Sequence, residues 1–146
     1  MSVRTDFYLL DSSAENHYYG FLCRLIEKIY KHQHRIYIYA EDEQQAYKID
    51  QQLWTYDEGS FIPHLLVTEG LQPAPAIQIG YAPHKVPAGQ EDILINLARE
   101  VPDFSQRFQR IIEVIVDAVA AKEQGRKRYK NYRATDNTIT THTITL

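Results

Sequence analysis

Apolar runs of strand length alternate with stretches of helical periodicity along most of this chain, and that alternation limits it to one fold class. FYLL (residues 7–10) is the first run; RIYIY (35–39), AIQIGY (76–81), DILINL (92–97) and IIEVIV (111–116) follow. Each is rich in β-branched or aromatic residues and too short for a core helix. Between them, Tyr18, Leu22, Leu25, Ile26 and Ile29 recur at the spacing of one helical face, as do Ala46, Ile49 and Leu53. Asp11, Ser12 and Ser13 are candidate caps for the first helix. Glu41, Asp42 and Glu43 crowd the start of the second, where the helix dipole favours negative charge. Strands alternating with helices predict an α/β domain with a mainly parallel five-stranded sheet flanked by helices, Rossmann-like in plan.

The remaining segments are less regular. Residues 82–91 carry two prolines and a glycine, leaving no room for a crossover helix, so that junction is open to an antiparallel turn. VPDFSQRFQR predicts a short helix with Asp103 near its start, and residues 117–133 predict the last helix. At 146 residues and 44% hydrophobic, the chain suits one core. The division expected is a single domain over 1–135 and a tail over 136–146. That tail, β-prone but polar, reads either as disordered or as an added edge strand.

The fold class directs attention to a nucleotide site, yet the chain has no G-x-G-x-x-G and no Walker loop. After the first strand stands DSSAENHYYG, without the consecutive glycines that let backbone amides approach a pyrophosphate. The lone Cys23 excludes an internal disulfide and a cysteine-built zinc site. The histidines have no ligand spacing with acidic partners; His64 reads as a hydrogen-bonding loop anchor. No serine sits in a nucleophile elbow. No catalytic residue, cofactor or metal site is therefore expected. With no signal-like apolar run at the start and no segment of membrane length, a cytoplasmic protein is expected.

Charge is unevenly spread. Residues 1–120 carry a net −7 and residues 121–146 a net +4, within an overall −3. The positive charge gathers in KEQGRKRYKNYR (122–133). On a wheel of 100° per residue, Lys122, Arg126, Tyr129, Lys130 and Arg133 share a stripe about 100° wide. Ala121, Gly125 and Tyr132 gather on another face, with Arg128 at its margin. Like charges at i and i+4 repel, so local helix stability does not explain the row Lys122–Arg126–Lys130. Two readings stand: a solvated basic face, or an anion-binding stripe with a ring to pack against. An acidic body opposes a long polyanion, so a short acidic peptide fits better than nucleic acid. The alternative is a direct single-stranded nucleic-acid-binding module stacking bases on Tyr129 and Tyr132.

A second feature is LWTYDEGSFIPH. Trp54 lies roughly 100° off the core stripe of its helix, on the side of Tyr47. With Phe61 it forms either an exposed aromatic pair, a common interface anchor, or a seal over a satellite cluster.

FYLLD, EDEQQAYKIDQQLWTYDEGSFIPH, DILINLAREVPDFSQRF and RKRYKNYR, taken in order, resemble the chi subunit of bacterial DNA polymerase III holoenzyme over about residues 7–133. The resemblance implies a non-catalytic accessory subunit of the clamp-loader complex with a nucleotide-binding-like fold and no nucleotide. It implies pairing with the psi subunit, or alternatively a helicase-like partner, through Trp54 and Phe61. It also implies capture of the acidic, phenylalanine-ending C-terminal tail of single-stranded DNA-binding protein by Lys122, Arg126 and Tyr129, with Ile115 from the preceding strand. Lys130 and Arg133 extend the same stripe. Gly125 stands where the family tends to have alanine, at up to about 1 kcal/mol of helix propensity.

Overall fold

The computed structural model describes residues 3–56, 62–69 and 74–146. Among these, seven strands form one sheet: β1 (Val3–Leu10), β2 (Ile36–Tyr39), β3 (His64–Leu66), β4 (Ile77–Gly80), β5 (Ile93–Asn96), β6 (Arg110–Ile115) and β7 (Asn137–Ile144). The spatial order is β3-β4-β2-β5-β6-β1-β7, and every neighbouring pair runs parallel. Three α-helices, α1 (Glu15–Lys31), α2 (Glu43–Thr55) and α3 (Val119–Arg133), cover it. The α/β class and the Rossmann-like plan hold, but the sheet has two strands more than expected. Both extra strands lie at its edges. β3 is only three residues long, too short to show a period, and β7 is the threonine-rich segment left open between disorder and an edge strand.

Strand pleating sorts the core into two layers. Ile36 and Ile38, Ile93 and Ile95, and Ile112 and Val114 turn toward α1 and α2, meeting Leu22, Ile26, Ile29, Ala46, Ile49 and Leu53. The alternate residues Tyr37, Leu94, Ile111 and Ile115 turn to the other face, where Phe7, Phe108 and Tyr132 of α3 close a second cluster. Both faces are covered, which is why the strands read as nearly unbroken apolar runs. None of the described helices is long and apolar enough to cross a membrane.

Two local expectations are corrected. β4 and β5 do not form an antiparallel pair; they flank β2, and both run parallel to it. A helix-free loop makes this crossover because Gln90, fully buried, ties it down. Its Nε2 donates to the carbonyls of Ile36 and Ala76 at 2.8 Å each, while its Oε1 accepts from Arg35 Nε at 2.8 Å. The N-cap of α1 is Ala14, not one of the three polar residues before it. Ser12 acts two residues earlier, accepting from the Ala14 amide at 3.1 Å. The second helix starts as charge predicts, with Asp42 accepting from the Gln45 amide at 2.9 Å.

A charge cluster fastens β7 to the sheet. Asp6 on β1 is buried and takes hydrogen bonds from Arg110 Nε at 2.8 Å and His142 Nε2 at 2.9 Å, with Arg4 Nε at 3.0 Å. The His142 ring stacks on Tyr8, centroids 4.6 Å apart. Burial alone raises the Asp6 carboxyl, but the hydrogen bonds from His142 and Arg110 and the charges of Arg110 and Arg4 outweigh it and hold the group below its ordinary value. A carboxylate depressed on folding contributes stability that is present above its unfolded pKa, about 3.9, and lost as pH falls through the folded value. Asp6→Asn is therefore expected to flatten the acid limb of the stability curve below about pH 4. Urea unfolding at several pH values measures this, and parallel wild-type and variant curves would contradict it.

Candidate functional site

The rotation of α3 on the sheet positions the site. Its inward row is Gly125, Arg128 and Tyr132, all buried. Tyr132 is fully buried; Phe7 meets it edge-on, with centroids 5.9 Å apart. Arg128, expected at the margin, is only 9% exposed. Its Nε donates to Glu113 Oε1 at 2.9 Å and its Nη1 to the Arg99 carbonyl at 2.9 Å. Tyr132 Oη and Asn96 Nδ2 donate to Glu113 Oε2 at 2.6 and 2.8 Å. Glu113 thus receives three side-chain donors inside the sheet–helix layer. Burial pushes its carboxyl above the ordinary value, against the charge of Arg128 and the hydrogen bonds of Tyr132 and Asn96. A charge in the middle of IIEVIV was the signal for this network.

With that row fixed inward, the outward side of α3 faces β1 and β7. There a hollow of about 360 Å³ is walled by Phe7, Leu9, Ile115, Gly125, Tyr129 and Thr141 and rimmed by Lys122 and Arg126. An apolar cavity of roughly 150 Å³ holds a benzene ring, so this notch takes a phenyl group with room to spare. Gly125 is part of its wall. A Cβ there would stand 2.9 Å from Ile115 Cδ1, so glycine lets α3 lie close and leaves the Ile115 side chain undisplaced. The ring of Tyr129 is held by Phe7 at a centroid distance of 5.4 Å.

The two rim cations differ. Lys122 Nζ already meets Asp117 Oδ1 at 2.6 Å, with both side chains about half exposed. Such surface pairs contribute little and exchange readily. Arg126 is exposed, and its side chain takes part in no ion pair or hydrogen bond with the described residues. Three of the five stripe residues, Lys122, Arg126 and Tyr129, therefore meet at one hollow with Ile115 of β6, the residue that the resemblance added to them. Lys130 and Arg133 are exposed on α3 but do not line it. Tyr132 is buried on the opposite row, which removes one of the two stacking rings that a nucleic-acid reading requires.

Among the larger hollows, two have a different character. One, about 450 Å³ at the carboxyl ends of β5 and β6, mixes Glu15 and Glu41 with Arg99 and Arg128. The other, about 700 Å³ between α1 and the chain end, combines Arg24 and Lys28 with Tyr8, Phe21 and Tyr56. Of these three hollows the α3 notch has the most nearly apolar wall, and the side chain of Arg126 at its rim has no ion-pair or hydrogen-bond partner among the described residues.

The second surface centres on Trp54, which is 52% exposed at the end of α2, with Tyr47 at 48% on the same side. Its ring rests on His64, centroids 4.5 Å apart. His64, read from the sequence as a hydrogen-bonding loop anchor, is the first residue of β3 and is buried. Its Nδ1 lies 2.7 Å from the Ile62 carbonyl and its Nε2 3.1 Å from the Asp50 carbonyl, with Asp50 Oδ1 at 3.2 Å. Phe61, the suggested partner of Trp54, lies outside the described residues. The carboxylates at the start of α2 have separate tasks: Asp42 caps the helix, Glu41 accepts from the Arg99 amide at 2.6 Å, and Glu43 accepts from Tyr81 Oη at 3.1 Å.

Comparison with known proteins finds similar chains. A family model described as DNA polymerase III chi subunit, HolC, matches residues 2–140. The DNA polymerase III subunit chi of Haemophilus influenzae is 33% identical over 144 residues, covering 99% of each chain. That of Pseudomonas aeruginosa is 32% identical over 131 residues, 90% of this chain and 89% of the relative. That of Escherichia coli is 31% identical over 141 residues, 94% and 95%. Among solved structures, T4 UvsW aligns at a TM-score of 0.65 and 6% identity over 99% of this chain. This chain spans 41% of that one, and the likeness is one of fold alone.

Proposed function

The chain belongs to the DNA polymerase III chi subunit family, and on that premise we propose that it is a non-catalytic replisome adaptor with two binding surfaces. The α3 notch receives the acidic, phenylalanine-ending C-terminal tail of single-stranded DNA-binding protein. The Trp54 surface binds the psi subunit, or in its place a helicase-like partner, and psi links the adaptor to the clamp loader. In this reading the protein works in the cytoplasm, without a cofactor.

One arrangement carries the reading: a mostly apolar notch large enough for a phenyl ring, bordered by Arg126, an exposed cation whose side chain has no partner among the described residues. The guanidinium offers paired donors to a terminal carboxylate or an aspartate, in charge-assisted bonds. Lys122 adds a second positive charge once it exchanges Asp117 for the ligand. The ring enters between Ile115 and Tyr129, and its burial contributes roughly 1.5–3 kcal/mol. Charge accelerates encounter and makes it salt-sensitive more than it deepens affinity. A contact near micromolar, about −8 kcal/mol, suits an assembly whose many weak links act together.

Arg126→Ala is expected to weaken a short acidic peptide with a free C-terminal phenylalanine about tenfold in low salt. Trp54→Ala is expected to leave that affinity unchanged while releasing the second partner. Titration by fluorescence anisotropy and co-purification measure the two effects. Unchanged binding by Arg126→Ala removes the stripe from the mechanism. Loss of both activities in either folded variant contradicts separate surfaces.

A further inference from the structure

Beside the notch, the sheet ends on an unguarded edge. β7 is the last strand in the order and, among the described residues, pairs with β1 alone. Its bonds to β1 begin with the Val3 amide on the Asp136 carbonyl at 2.9 Å and end with the Asp11 amide on the Ile144 carbonyl at 3.2 Å. In a parallel ladder, residues of one parity turn both N–H and C=O toward a given neighbour. The even-numbered residues of β7 therefore serve β1, and Ile139, Thr141 and Thr143 present their amides and carbonyls outward.

Native edges are usually blunted by lysine, proline, a bulge or an inward charge. NTITTHTI has no lysine, proline, aspartate or glutamate, and nearly every residue is β-branched. Register places Thr141 beside Phe7 and Thr143 beside Leu9, so the side chains of the outward-bonding residues share the face that holds the notch. Thr141 belongs to both features: its side chain lines the hollow and its backbone stands on the open edge. Lys122 and Arg126 stand over the same face, which carries no carboxylate on β7 to oppose an acidic ligand.

We infer that the edge of β7 binds the backbone of an extended acidic peptide as an eighth strand, while the peptide's terminal aromatic ring fills the adjoining notch. This rests on the peptide-binding reading of the notch and adds how the residues upstream of the ring are held. Strand addition takes affinity from main-chain hydrogen bonds, so those upstream residues are free to vary in side chain provided they remain extended and acidic overall.

The test is a backbone N-methyl scan of a short acidic peptide ending in a free phenylalanine, titrated against the full chain. Methylation removes one amide donor and leaves every side chain in place. The expected result is a two-residue rhythm: methylation at alternate upstream residues weakens binding about five- to tenfold, and the residues between are unaffected. A flat scan, with the unmodified peptide still binding in an Arg126-dependent way, overturns the added strand and leaves the notch reading standing. No binding of the unmodified peptide overturns both. Sedimentation of the free chain identifies the other occupant: a stable dimer lost on mutating β7 would assign the edge to a second copy and overturn the inference.

Discussion

Glu113→Ala is expected to destabilise the fold by about 3–5 kcal/mol, the range for removing one partner of a buried ion pair. The substitution leaves the Arg128 guanidinium buried without its counter-charge and takes the acceptor from Tyr132 Oη and Asn96 Nδ2 together. It also opens space between β6 and α3, where a cavity adds its own cost. Against a typical domain stability of about 5–15 kcal/mol, this is a large share of the total. Replacing the ion pair as a whole, with Glu113→Leu and Arg128→Met together, is expected to recover much of the loss, because no unpaired charge remains inside. Denaturant unfolding of the two variants measures the difference. A loss under about 1 kcal/mol for Glu113→Ala would mean that water reaches the network and satisfies it.

The functional consequence follows from geometry. Glu113 holds the inward row of α3, and the inward row sets which residues face β1 and β7. A core carboxylate thus orients the cationic rim without touching it. An α3 free to roll would carry Arg126 away from the hollow and Tyr129 off Phe7, so peptide affinity should fall in any folded variant of Glu113.

Much of this was legible in the sequence, and the failures share a cause. The five inner strands were visible because both faces of the sheet are covered, making each strand an apolar run. The wheel on 122–133 separated the outward cations from Gly125 and Tyr132, and Trp54 lies off the core stripe as its phase predicted. What escaped were features decided by tertiary partners. β7, left open between disorder and an edge strand, carries almost no apolar signal: among the described residues it pairs with β1 alone, and its attachment runs through backbone pairing and the Asp6 cluster. β3 is too short to show a period. Arg128 looked marginal because hydropathy cannot see that a glutamate in the preceding strand awaits it. Gly125 appeared only as a weak helix former; its close approach to Ile115, and so its place in the notch wall, depends on the helix–sheet distance.

The second large effect concerns the ligand's ring. If the notch receives it, burial between Ile115 and Tyr129 contributes roughly 1.5–3 kcal/mol, a tenfold to hundredfold change in affinity. If charge alone does the binding, the ring is dispensable, since Lys122 and Arg126 would attract any carboxylate cluster equally. Substitutions in the protein blur this distinction, because Phe7, Ile115 and Tyr129 also belong to the core. A change in the peptide does not disturb the fold at all.

The decisive measurement is therefore a pair of titrations at one salt concentration, with two acidic peptides identical except for a terminal phenylalanine or a terminal alanine. The expected result is that the phenylalanine peptide binds at least tenfold more tightly and that Arg126→Ala weakens it further. Equal affinities for the two peptides would contradict it, leaving the α3 hollow without a role in recognition.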